Sequence, residues 1–111
     1  MKYYKYLYVS DSVRHTDKLK VKLSKHMGCP DIYVIFWARN NDQLEIMNAS
    51  FLKLHFYRKK PPVIVGLAKS YDEAVDLIIN MTNEALEHTG KPDIKDYLIL
   101  RAKTRNFTKT D

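Results

Sequence analysis

Residues 61–90, PPVIVGLAKSYDEAVDLIINMTNEALEHTG, decide the fold, because they read as a strand delivered directly into a long helix. Val63, Ile64 and Val65 are apolar and β-branched and lie between two prolines and Gly66, the pattern of a short strand buried on both faces. Ser70 and Glu73 then have the spacing of a capping box: the hydroxyl accepts from the third amide of the helix while the carboxylate reaches back to the cap's own N–H. Tyr71, Ala74, Val75, Ile78, Met81, Thr82, Ala85 and Leu86 recur every three or four positions and form one apolar stripe. Asp76, Asn80, Asn83, Glu84 and Glu87 fall on the side expected to meet water. Gly90 tolerates the left-handed conformation past the last turn, and Pro92 prevents the helix from resuming.

Outward from this unit, the composition bounds the rest. A chain of 111 residues supports one hydrophobic core, and 45% hydrophobic with 29% charged residues is globular rather than disordered. The longest apolar run, Ile32 to Ala38, is far below the roughly 20 residues of a membrane-spanning helix. The opening MKYYKYLYVSDS lacks a small-residue cleavage site and does not read as a secretory signal, so the expected location is the cytoplasm. A single cysteine, Cys29, excludes an internal disulfide. The net charge of +6 is uneven: residues 1–69 carry 13 Lys and Arg against 5 acids, or +8, and residues 70–111 carry 6 against 8, or −2. The basic half can attract nucleic acid, an anionic membrane surface, an acidic partner or the acidic half of a second copy.

Taken from the start, Lys2 to Val9 reads as a strand that alternates Tyr4, Tyr6 and Tyr8 on one face with Tyr3, Lys5, Leu7 and Val9 on the other. Thr16 caps a helix expected from Asp17 to Met27, stopped by Gly28 and Pro30. Asp31 to Ala38, DIYVIFWA, is apolar on both faces and reads as a central strand, with Tyr33, Ile35 and Trp37 opposite Ile32, Val34 and Phe36. Arg39 to Asp42 are turn residues that return the chain through Gln43–Met47 as the second arm of a hairpin. Residues 48–60 carry both patterns: Asn48 or Ser50 can cap a helix through Arg58, while Leu52, Leu54 and Phe56 alternate with Lys53, His55 and Tyr57 as a strand would; helix is the reading adopted. Asp93 caps a short helix through Arg101, and residues 102–111 form a basic tail expected to be disordered.

The order strand, helix, strand, strand, helix, strand, helix describes a single α+β domain over residues 1–101. Its expected form is a ferredoxin-like, four-stranded antiparallel sheet with helices on one face. The alternative is a mixed α/β sandwich of three layers, which the doubly apolar Val63–Val65 favours.

Two constellations bear on function. Tyr4, Tyr6, Tyr8, Tyr33 and Trp37 share a sheet face that can serve as an interaction surface or stack unpaired bases. Lys18, Lys22, Lys25, Arg58, Lys59, Lys60 and Lys69 are candidate contacts for an anion or nucleic acid. Lys69 belongs to GLAKS, Gly66 to Ser70, which precedes a helix N-terminus but lacks the paired glycines and the Gly-Lys-Ser/Thr ending of a nucleotide-binding loop. His15, His26, His55 and His88 are scattered and form no metal-ligand pair, and no catalytic or cofactor residues are nominated.

The segments VIVGLAKSYDEAVDLI, YVIFWARNNDQLEI and DIKDYLILR resemble a group of short bacterial proteins of uncharacterised function, over most of residues 3–101. The resemblance implies a free-standing bacterial domain and no particular activity. The expected function is non-enzymatic, through self-association or binding of another protein. The alternatives are a nucleic-acid-binding module using the basic half and a small-molecule site near Gly66 to Ser70; a membrane partner is not expected.

Overall fold

The computed structural model describes residues 2–25, 28–37 and 43–103. They form strand β1 (Lys2–Val9), helix α1 (Thr16–Ser24), β2 (Tyr33–Trp37), β3 (Leu44–Asn48), a 3-10 turn (Ala49–Lys53), α2 (His55–Lys59), β4 (Val63–Ala68), α3 (Tyr71–Thr89) and α4 (Ile94–Lys103). The turn expected at 39–42, the end of the expected helix at His26 and Met27, and residues 104–111 of the expected tail lie outside the described residues, whereas Ala102 and Lys103, assigned to that tail, belong to α4. The chain divides into two compact units, one through Leu77 and one from Ile78.

In the first unit the four strands make one mixed sheet in the order β1-β4-β2-β3. β1 runs parallel to β4, whereas β2 is antiparallel to both β4 and β3. The chain is therefore α+β as expected, but the parallel β1–β4 pair departs from the antiparallel ferredoxin-like sheet. Burial explains the difference. Strands with two apolar faces take the centre, where both faces are covered. Val34, Ile35 and Phe36 of β2 and Ile64 to Ala68 of β4 are all buried, while Lys2 and Lys5 of β1 and Glu45 of β3 are exposed at the edges. Charged side chains on edge strands also discourage pairing with other chains.

One face of the sheet carries the core. Ile64 and Leu67 of β4 and Val34 and Phe36 of β2 pack with Leu23 of α1, Ala49 and Leu52 of the 3-10 turn, Val13, Cys29 and Ile32. Tyr3, Leu7 and Val9 of β1 close the cluster on that side, as their alternation with the tyrosines requires. Fully burying each Leu or Ile contributes about 1.5–3 kcal/mol, so this cluster is the main source of stability in the unit. On the other face Tyr71, at the start of α3, meets Tyr33 edge-on with centroids 6.4 Å apart. β4 is irregular against both neighbours: Ile35 pairs with Gly66 but Phe36 with Ile64, so Val65 is an extra residue that bulges the strand.

Local chemistry sets the helix boundaries. Thr16 is the first residue of α1 rather than its cap; the cap position is His15, left-handed at φ 55, with no side-chain cap bond. Within residues 48–60 the chain is helical in two pieces, Ala49–Lys53 and His55–Lys59, rather than in one helix through Arg58. The Asn48 side chain accepts from the Ser50 amide at 2.9 Å to begin the 3-10 turn, and Leu54, extended at ψ 144, separates it from α2. Ser70 caps α3 by accepting from the Glu73 amide at 3.1 Å. Gly90 ends that helix at φ 76, as anticipated.

The second unit holds the remainder of α3 and all of α4. Asp93 caps α4 by accepting from the Asp96 amide at 3.1 Å. Met81, Ala85, Tyr97 and Leu98 are fully buried. Glu84, expected to face water, instead accepts from the Tyr97 hydroxyl at 2.9 Å and lies 3.5 Å from Arg101. His88 stacks on the Tyr97 ring at 5.7 Å, which fixes α4 beside the last turns of α3.

Candidate basic cleft at the end of the parallel strands

The carboxyl ends of β1 and β4 lie side by side, tied by the Ser10 amide donating to the Leu67 carbonyl at 2.9 Å. The two chains leave this point differently: β1 continues through Val13 into the core-side helix α1, and β4 continues through Lys69 into α3, whose first ring lies on the Tyr33 face. Crevices outside the carboxyl ends of strands, where successive connections part to opposite faces, are common ligand sites in open sheets. Here the crevice is a cleft of about 320 Å³ lined by Val13, Arg14, His15, Lys18, Leu19, Lys22, Ile32 and Lys69.

Each lining residue has a local reason to be there. Lys18 and Lys22 are four apart on α1 and share one face of it, while Arg14 enters from the segment before the helix, two residues ahead of Thr16. Ile32 stands one step beyond the Tyr33–Ala68 pair, opposite Lys69, so the β2–β4 register brings that lysine against the cleft. Val13 and Ile32 are buried core residues whose edges form an apolar floor with Leu19. Among the described residues the lining contains no carboxylate.

The sequence-based candidates separate into two groups. Lys18, Lys22 and Lys69 converge on the cleft, whereas Lys25, Arg58, Lys59 and Lys60 do not line it. Arg14 is not among those candidates and His15 enters only as one of the scattered histidines, because the left-handed turn at His15 that brings both to the cleft leaves no helical spacing in the sequence. Four of the five aromatic candidates pack on one another, whereas Tyr33 meets Tyr71. Tyr4 is buried, with Tyr6 and Trp37 edge-on to it at 6.1 Å and Tyr8 stacked at 6.5 Å. Tyr6, Tyr8, Tyr33 and Trp37 are half-buried.

Nearby groups are structural. Ser10 and Ser12 both donate to the Glu73 carboxylate, and these hydroxyls, with smaller contributions from Lys69, hold that carboxyl below the usual range. Cys29 is buried, and burial pushes its thiol up; Lys22 pulls it down and Asp31 pushes it up. That thiol is protonated at neutral pH and is not an activated nucleophile. Among the described residues no cluster of His, Cys, Asp and Glu is placed to hold a metal ion, and no helix is long and apolar enough to cross a membrane.

No protein-family model matches this chain, and no curated protein or solved structure matches it either. The functional reading therefore rests on the chemistry of the cleft itself.

Proposed function

We propose that this protein binds a small organic anion, one phosphate or carboxylate group on a compact apolar body, in the cleft between α1 and Lys69. The carrying observation is that Arg14, Lys18, Lys22 and Lys69 surround an apolar floor of Val13, Leu19 and Ile32 without an acid among them. An anion about 4 Å from one such cation gains on the order of 1 kcal/mol in water and about 4 kcal/mol where the effective dielectric is near 20. Several cations around a partly dry floor therefore favour a charged head group, and the floor favours an apolar body. At about 320 Å³ the cleft is at the small end of ligand sites, which suits a single ring or short chain. Arg14 suits the head group best, since its guanidinium can donate two parallel bonds to one phosphate or carboxylate.

Nucleic acid is the less favoured reading, because base stacking needs accessible ring faces and Tyr4 is buried under its neighbours. Phenyl phosphate, inorganic phosphate and phenol, titrated by calorimetry or amide chemical shifts, test the proposal. Phenyl phosphate is expected to bind most tightly and phenol not to bind. Lys18→Ala with Lys22→Ala, both exposed positions, is expected to weaken phenyl phosphate by about tenfold or more, the equivalent of 1.4 kcal/mol. Binding that ignores these substitutions, or phenol binding as well as its phosphate, refutes it.

A further inference from the structure

The molecule exposes a second feature that the cleft does not use. Around the break between the 3-10 turn and α2, Phe51 is 53% exposed, Leu54 49% and Phe56 66%. Lys53, Arg58, Lys59 and Lys60, all exposed, are interleaved with or follow them in the chain. The extended backbone at Leu54 ends one helical piece and starts the next, so these three side chains are not drawn into a single buried stripe. Three large apolar side chains exposed among cations suit a partner surface of opposite charge and similar apolarity.

The same chain carries a surface of that description. Along α3 the exposed positions Asp72, Asp76, Ile79, Asn83, Leu86 and Glu87 recur at helical spacing and form one stripe. Ile79 is 50% exposed and Leu86 44%, although a helix facing only water would carry polar residues there. Three carboxylates flank these two aliphatics, and no lysine or arginine occurs anywhere in α3. The stripe extends over about 22 Å at 1.5 Å per residue, long enough to lie across a patch built on three large apolar side chains.

We infer that copies of this chain associate head to tail, the basic patch at Phe51, Leu54 and Phe56 of one copy seating the acidic Ile79–Leu86 stripe of the next. The two surfaces are different, so the contact is heterologous and leaves one unused half at each end of a pair. The charge complementarity that favours this contact also disfavours the alternatives of patch on patch and stripe on stripe, since like charges facing each other are costly. Concentration and salt govern the assembly: its charged rim is screened within about 8–10 Å at physiological ionic strength.

The test uses two single variants at exposed sites, Phe56→Asp in the patch and Leu86→Lys in the stripe. Wild type in sedimentation velocity is expected to grow beyond a monomer as concentration rises, and to do so less at high salt. Each variant alone is expected to associate about tenfold more weakly or worse. An equimolar mixture of the two is expected to form a one-to-one dimer, because each variant retains the half that the other lacks. Circular dichroism of each variant establishes that the fold is retained. Wild type that stays monomeric, a single variant that assembles as wild type does, or a mixture that fails to pair overturns the inference.

Discussion

Gly66 shows how one missing side chain shapes the centre of the sheet. It pairs with Ile35, and a Cβ at this position would come within 2.8 Å of Ile35 Cδ1 and 3.4 Å of its Cβ. Glycine there lets β2 and β4 approach closely where Val65 bulges. Gly66→Ala is expected to cost about 1–3 kcal/mol by overpacking. Ile35→Val removes the offending methyl and by itself costs about 0.5–1.5 kcal/mol. The double variant is expected to be more stable than the sum of the two losses, a coupling that urea denaturation of all four proteins measures. In the sequence Gly66 reads as the end of a strand, because a glycine after Val63–Val65 is a stop signal when only local order is visible. Its actual role, midway through a strand continuing to Ala68, depends on Ile35, thirty-one positions away. Glu73 was legible only in half: its amide takes the Ser70 cap as the spacing implies, but its carboxylate goes to Ser10 and Ser12, which no local pattern reveals.

Those hydroxyls join two elements, since they tie the segment after β1 to the first turn of α3. The carboxyl of Glu73 is held below the unfolded value, roughly 4.3. A carboxylate depressed in the folded state contributes stability above its unfolded pKa and loses it as pH falls through the folded one. Urea midpoints are therefore expected to drop for wild type as acid is added below about pH 4.3, and to drop less for Glu73→Gln, which has no charge to lose. Equal pH dependence of the two proteins would remove the element tie from the account. Helix existence was otherwise well signalled where a cap and a stop bracket a stripe, as in α3 with Ser70 and Gly90. Residues 48–60 were harder because two short helical pieces with Leu54 between them sample neither a full helical period nor an alternation. Their exposed phenylalanines resist any reading based on core periodicity, since they face outward.

For the molecule as a whole, the relevant signal in the sequence was apolarity on both faces rather than element order. DIYVIFWA and VIVGLA name the two central strands, and that fact is incompatible with a ferredoxin-like order, which seats the first and third strands centrally. The direction of β1 was not legible, because parallel and antiparallel pairing of a strand so far from its partner leave the same local pattern. The basic row along α1 could be read, whereas its convergence with Lys69 required the register of β2 on β4. Charge acts at this scale too. With +8 in residues 1–69, self-repulsion works against the folded state, so thermal midpoints of dilute protein are expected to rise as sodium chloride increases from about 0.02 to about 0.2 M. Phosphate at matched ionic strength is expected to raise them further through the cleft. A midpoint that falls with sodium chloride would show net attraction among these charges instead.

The pairing of Lys2 with Val63 also sets a schedule for synthesis. A ribosome adding about 5–20 residues per second makes β1 several seconds before β4 exists. During that interval a tyrosine-rich segment lacks the strand it pairs with, for among the described residues its partner in the sheet is β4. Nascent chains long enough to bring β1 out of the exit tunnel but too short to release β4 would therefore be clients for holding chaperones, and release of β4 would end that dependence.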